Sequence, residues 1–223
     1  MTRVIAFDVN ETLLDLSALD GSFEEIFGTA TLRPQWFSLM LQLSFVGGIT
    51  GDYVDYTTAQ RAALAMLASR QGMPLTDAAA DRLVGGMTGL PAHPEVPAAL
   101  ERLRETSLRI VALTNSPPAV AEAQLTHAGI RPLFDQALSA DAVRRLKPAR
   151  EAYLSVADAY GVDPGEVRLV AAHSWDVSGA LSAGCKAAFV ARPGMVLSPL
   201  GAQPDIVGPD LTSVVDQIVA VDA

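Results

Sequence analysis

Five residues of this chain have the types needed for displacement and hydrolysis: Asp8, Glu11, Lys147, His173 and Asp176. Asp8 closes the apolar run Val4-Ile5-Ala6-Phe7, which reads as a buried strand. Open α/β sheets hold their reacting groups at the carboxyl ends of such strands. A carboxylate there can act as a nucleophile through an ester intermediate. A second apolar run ends in Thr114-Asn115-Ser116, with Pro117-Pro118 opening a helix. A hydroxyl and an amide beside a helix N-terminus suit an anion; Ser116 is the expected N-cap and Pro117 the expected first helical residue. The prolines remove two backbone donors, so the side chains of Thr114 and Asn115 must contribute more. Lys147, just before another helix, would keep Asp8 ionised and draw in an anion. His173 and Asp176 follow a further strand. Each residue alone has an ordinary structural explanation, but their common placement after successive strands argues for one site.

The elements that must position them alternate. Strands are expected at Leu108–Leu113, Gln136–Ser139, Val167–Ala172 and Ala187–Ala191, with an edge strand at Ile206–Val207. Helices are expected at Ala119–His127, Pro148–Tyr160, Val177–Ala183 and Leu211–Val219. Such alternation implies a parallel sheet with helices on both faces. Between the first strand and this series, Leu16 to Pro94 is mostly helical. Pro34–Val46 is apolar nearly all round and is expected to end at Gly47-Gly48, and helices follow at Thr57–Arg70 and from Thr76-Asp77 to Gly85-Gly86. Pro91 to Pro97 reads as a hinge. The expected fold is therefore α/β, a doubly wound parallel Rossmann-like core (1–15 and 95–223) with an inserted helical cap (16–94).

Composition narrows the partners. Half of the 223 residues are hydrophobic, and 16 basic against 25 acidic residues give a net charge of −9 without a basic run. That argues against nucleic acid or an anionic membrane surface. No signal-peptide pattern or bilayer-length apolar stretch is evident. The single cysteine, Cys185, excludes an internal disulfide and suits a reducing cytoplasm; a small core residue is expected there rather than a nucleophile. The apolar Trp36–Val46 stretch suits core, active-site wall or dimer contact; a homodimer is expected from it, although a buried cap would show the same pattern.

The pattern Asp8…Thr12, Thr114-Asn115, Lys147-Pro148 and Asp176 resembles the four motifs of the haloacid dehalogenase superfamily, over essentially the whole chain. The helical cap, Trp36, the Lys147…Tyr153 spacing and Trp175-Asp176 are most similar to its L-2-haloacid dehalogenase branch. That resemblance implies displacement of halide from C2 of a short 2-haloacid by Asp8, then hydrolysis of the ester, with no metal or cofactor. The superfamily's magnesium phosphatases carry an acid two residues after the nucleophile and another four residues before the last motif aspartate. Here those positions are Asn10 and Ala172; an amide cannot deliver a proton as an acid can, and magnesium has lost a carboxylate.

The chain also departs from the usual dehalogenase pattern. Phe37 replaces the arginine after the cap tryptophan, Asn10 replaces an aromatic, and Ala172 and His173 replace serine and asparagine. A histidine can serve as base near neutral pH, so a Glu11–His173 pair is expected to activate water, with Asp176 as the alternative. Val9, Asn10, Thr12, Phe37, Leu41, Tyr56, Thr114, Asn115 and Trp175 are expected to line the substrate and halide site. A magnesium phosphatase and a non-catalytic binding protein are the competing readings.

Overall fold

The computed structural model describes residues 2–223. Six strands form one parallel sheet in the order β3-β2-β1-β4-β5-β6. They are β1 (Val4–Phe7), β2 (Arg109–Thr114), β3 (Gln136–Ser139), β4 (Val167–Ala171), β5 (Lys186–Val190) and β6 (Ile206–Gly208). β1 lies between β2 and β4, with Val4 opposite both Arg109 and Val167. The chain therefore leaves β1 toward one edge and later returns to its other side. The resulting crevice lies just beyond Phe7, the topological switch point at which such sheets bind ligands.

Side-chain alternation along β1 builds two cores. Ile5 and Phe7 face one; Val4 and Ala6 face the other, packed with Tyr153, Val156, Val177 and Ala180. Both faces are covered, which is why β1 and β4 are buried at every position and apolar at all of them but Arg168.

The helices are α1 (Asp20–Phe27), α2 (Arg33–Thr50), α3 (Tyr56–Gln71), α4 (Asp77–Gly86), α5 (Val96–Arg104), α6 (Pro118–His127), α7 (Arg150–Tyr160), α8 (Ser174–Ser182) and α9 (Leu211–Asp222). The first four fall between β1 and α5. The expected α/β architecture is present, with three local corrections. Helix α2 runs through Gly47-Gly48 and stops at Gly51, whose φ of 84° supplies the left-handed cap. A Cβ at Gly47 would lie 2.7 Å from the Asp52 carbonyl oxygen, so that glycine permits the chain to fold back closely. Pro97 lies inside the first turn of α5 rather than in a hinge, because first-turn N–H groups need no helical partner. Ser116 is not the cap of α6: Pro117 occupies that position, and the Ser116 N–H donates to Thr114 Oγ1 at 3.1 Å.

Candidate active site

Asp8 follows β1 directly and is 5% exposed. Its Oδ1 accepts from Lys147 Nζ at 2.8 Å. Its Oδ2 accepts from Thr12 Oγ1 at 2.6 Å and lies 3.2 Å from His173 Nδ1. Burial alone would raise the Asp8 carboxyl, but the charges and hydrogen bonds of Lys147 and His173 outweigh it and hold Asp8 well below the usual carboxylate range. The site thus keeps a desolvated carboxylate ionised.

Lys147 Nζ also donates to Asp176 Oδ2 at 2.6 Å, and Tyr153 Oη donates to Asp176 Oδ1 at 2.6 Å. Burial opposes the charge on Lys147, yet Asp176 and Asp8 raise its pKa above the ordinary value. Burial, together with the Asp8 charge, pushes Asp176 up. Asp176 therefore holds the lysine. Tyr153, on α7, completes that arrangement; its spacing from Lys147 was the only sign of it in the sequence.

His173 occupies the cap position before α8 and is buried. Its Nε2 lies 2.8 Å from Glu11 Oε2. The imidazole is stacked between Phe37 and Trp175, with ring centroids 5.5 and 5.3 Å away and interplanar angles of 18° and 25°. Burial would lower its pKa, but hydrogen bonds and charge from Asp8 and Glu11 raise it to about 9. The resting ring is an imidazolium between two carboxylates and two aromatic faces, which also favour the cation. Glu11 has a φ of 62°, a left-handed conformation that strains a non-glycine residue. Arg33, one turn before Phe37 on α2, lies 3.7 Å from Glu11 Oε1 and donates to Asp20 at 2.6 Å.

The high affinity of His173 for its proton makes a prediction for stability. An unfolded histidine titrates near 6.5, the folded one near 9. The contribution is complete below the lower value and is lost as pH climbs through the upper one, worth about 3 kcal/mol in all. The melting temperature should fall between those pH values, and His173→Gln should remove that fall. Asp8 acts in the opposite sense, stabilising above 3.8 and losing that contribution in acid.

The remaining expected residues divide. Phe37, Trp175 and Leu41 border a cavity of about 350 Å³ that reaches Glu11 and His173. Tyr56 is buried, and burial with the charges of Asp8, Glu11 and Asp176 keeps its phenol protonated. Val9 is buried in the apolar core, and its carbonyl accepts from the Leu13 and Leu14 N–H groups. Asn10 differs from the expectation of substrate contact. Its Oδ1 accepts from Gln124 at 2.9 Å and its Nδ2 donates to Ser116 Oγ at 3.4 Å, a buried network that satisfies the amide away from Asp8.

Thr114 and Asn115 differ in a similar way. Thr114 Oγ1 caps the Ser116 N–H. Asn115 accepts from Lys147 N at 2.7 Å and donates to Lys147 O at 3.2 Å, so it clamps the lysine backbone. Trp175 Nε1 is buried with no hydrogen-bond partner.

The donor set does not fit a divalent cation. Lys147 stands between the two carboxylates that would ligate one, and Ala172 offers no side-chain oxygen. Among the described residues no cluster of three or more His, Cys, Asp or Glu is arranged as a metal site.

With this geometry in view, residues 2–184 match the model of the haloacid dehalogenase-like hydrolase family. The chain belongs to that family. It is 29% identical over 214 residues to the (S)-2-haloacid dehalogenase of Pseudomonas sp. (strain YL), covering 95% of this chain and 92% of that one. It is 27% identical over 218 residues to haloacetate dehalogenase H-2 of Moraxella sp. (strain B), covering 97% of each. Its fold superimposes with a TM-score of 0.92, at 26% identity and over 100% of both chains, on the L-2-haloacid dehalogenase from Xanthobacter autotrophicus solved with chloropropionic acid covalently bound.

Proposed function

We propose that this family member is a hydrolytic dehalogenase that converts short L-2-haloalkanoic acids to 2-hydroxy acids through an ester on Asp8. The observation that carries the reading is the buried, ionised Asp8 carboxylate with Lys147 on one oxygen and Thr12 and His173 on the other. Asp8 attacks C2 from the face opposite the halogen, and halide leaves with inversion. Lys147 balances the charge of the nucleophile and of the substrate carboxylate. With Phe37 in place of an arginine, the departing halide is bordered by aromatic edges and by Trp175, whose Nε1–H is a buried donor without a protein partner.

Ester formation discharges Asp8, which faces His173 at 3.2 Å. The imidazolium loses two of the causes of its raised pKa and releases its proton to solvent. The neutral ring, oriented by Glu11, then takes a proton from water as that water attacks the ester carbonyl carbon. It returns that proton to the leaving alkoxide, freeing the 2-hydroxy acid; the proton left on the Asp8 carboxyl then passes to His173, restoring the carboxylate and the imidazolium. In this mechanism the base is switched on by the first half-reaction.

The phosphatase reading lacks both the acid at position 10 and a free pair of carboxylates for magnesium. A non-catalytic role leaves the ionised, prepositioned Asp8 unexplained. The deciding test assays 2-chloropropionate and an aryl phosphate side by side, with and without a strong chelator. Halide release unaffected by chelator is expected; magnesium-dependent phosphate release alone would overturn the reading.

Residues 16–94 would act as the cap over this site. Among the described residues no helix is long and apolar enough to cross a membrane. The free, buried Cys185 fits the cytoplasmic setting we propose. We also propose a homodimer: α2 buries Trp36, Met40 and Leu41 within the chain but leaves Val46 and Ile49 exposed. Light scattering should give the dimer mass, and a monomer mass would refute this.

A further inference from the structure

We propose that Arg192 is a positioning residue for the Asp8 reaction, pinning both connections between the sheet and the four helices inserted after β1. Arg192 follows β5 and is 8% exposed. Its Nε and Nη2 both donate to the Thr12 carbonyl, at 2.8 and 2.6 Å, and its Nη1 donates to Glu95 Oε1 at 2.9 Å. Thr12 is the residue whose hydroxyl donates to Asp8 Oδ2 at 2.6 Å while accepting from the Ala172 N–H at 2.9 Å. Its carbonyl and hydroxyl are therefore fixed from two separate strand ends, and Arg192 supplies one of the two fixings.

The segment leaving β1 and the segment returning to α5 run side by side. Asp15 N donates to Pro91 O and His93 N to Leu13 O, each at 2.9 Å, and Leu14 bridges Ala92. His93 Nε2 lies 3.3 Å from the Glu11 carbonyl oxygen. Arg192 grips the outgoing segment at Thr12 and the returning one at Glu95, immediately before α5. Movement of the inserted helices would otherwise be transmitted to Thr12 and Glu11, and through them to Asp8 and His173. A planar guanidinium can present three N–H groups to two targets at once; a lysine ammonium cannot reproduce that fork.

The proposal rests on Asp8 as nucleophile, so the test measures Asp8 alkylation itself. Excess enzyme is mixed with 2-chloropropionate, quenched, and its intact mass followed in time for wild type, Arg192→Lys and Glu95→Gln, alongside thermal unfolding and steady-state constants. Arg192→Lys should slow alkylation at saturating substrate by about 10²-fold with KM within about twofold, since a small displacement of a positioned group costs that much. Glu95→Gln, which keeps an acceptor but loses the charge, should show a smaller loss of the same kind and serves should Arg192→Lys not fold. A folded variant that alkylates at the wild-type rate, even with a lowered melting temperature, assigns Arg192 to stability alone and overturns the proposal. Absence of any adduct on the wild-type enzyme would instead sink the ester reading on which it rests.

Discussion

Asp8→Asn should lower kcat/KM for 2-chloropropionate by about 10⁴-fold or more while leaving the protein folded. An amide oxygen is a far weaker nucleophile than a carboxylate, and no other carboxylate can take over. Asp176 is fully buried with both oxygens taken, by Lys147 and Tyr153. Glu11 is paired with His173. Folding should survive because Lys147 keeps its 2.6 Å contact with Asp176, so no buried cation is left alone. The same substitution imitates the discharged ester, so His173 should titrate below its wild-type value of about 9. Halide-release kinetics, a melting curve and an NMR titration of the imidazole read all three. An active, folded Asp8→Asn enzyme would remove Asp8 from the chemistry.

His173→Ala should separate the two half-reactions. Alkylation needs only Asp8, Lys147 and the halide site, so one halide per enzyme should still be released. Hydrolysis then lacks its base and should slow by about 10²- to 10⁴-fold. Intact-mass measurement should show the protein heavier by one carboxyethyl group in place of a proton, persisting over many wild-type turnovers. The imidazole lies between Phe37 and Trp175 rather than in the apolar core, so the vacated space adjoins the cavity and can admit water. An inactive variant that never carries the adduct would place His173 in the first half-reaction instead.

Much of this site is legible in the sequence because it is written in short motifs. Asp8, Asn115, His173 and Asp176 each closely follow an apolar strand, and strand ends are where periodicity breaks. The pairing of Glu11 with His173 followed from two unusual residue types whose chemistry is complementary. What stayed hidden depends on distances between elements far apart in sequence. Arg192 meets Thr12 across 180 positions, and nothing local distinguishes it from a solvated arginine.

Thr114 and Asn115 look like anion ligands by type, yet their hydrogen bonds go to the Ser116 and Lys147 backbone. The Thr114 hydroxyl accepts the buried Ser116 N–H, and the Asn115 amide pairs with both the N–H and the carbonyl of Lys147, so these side chains satisfy the main chain first. Gly47-Gly48 reads as the end of α2 because glycine is ordinarily a helix stop, yet the helix continues to Thr50. Here a close approach to Asp52 requires it inside the helix.

The measurement that bears most directly on the covalent account is one turnover in heavy-oxygen water, with enzyme in excess over 2-chloropropionate and mass analysis of the peptide around Asp8. Attack of water on the ester carbonyl carbon must leave the heavy oxygen in the Asp8 carboxylate and an unlabelled hydroxyl in the 2-hydroxy acid. Label confined to the product, with Asp8 unlabelled, would mean that water reached C2 directly and that no aspartyl ester had formed.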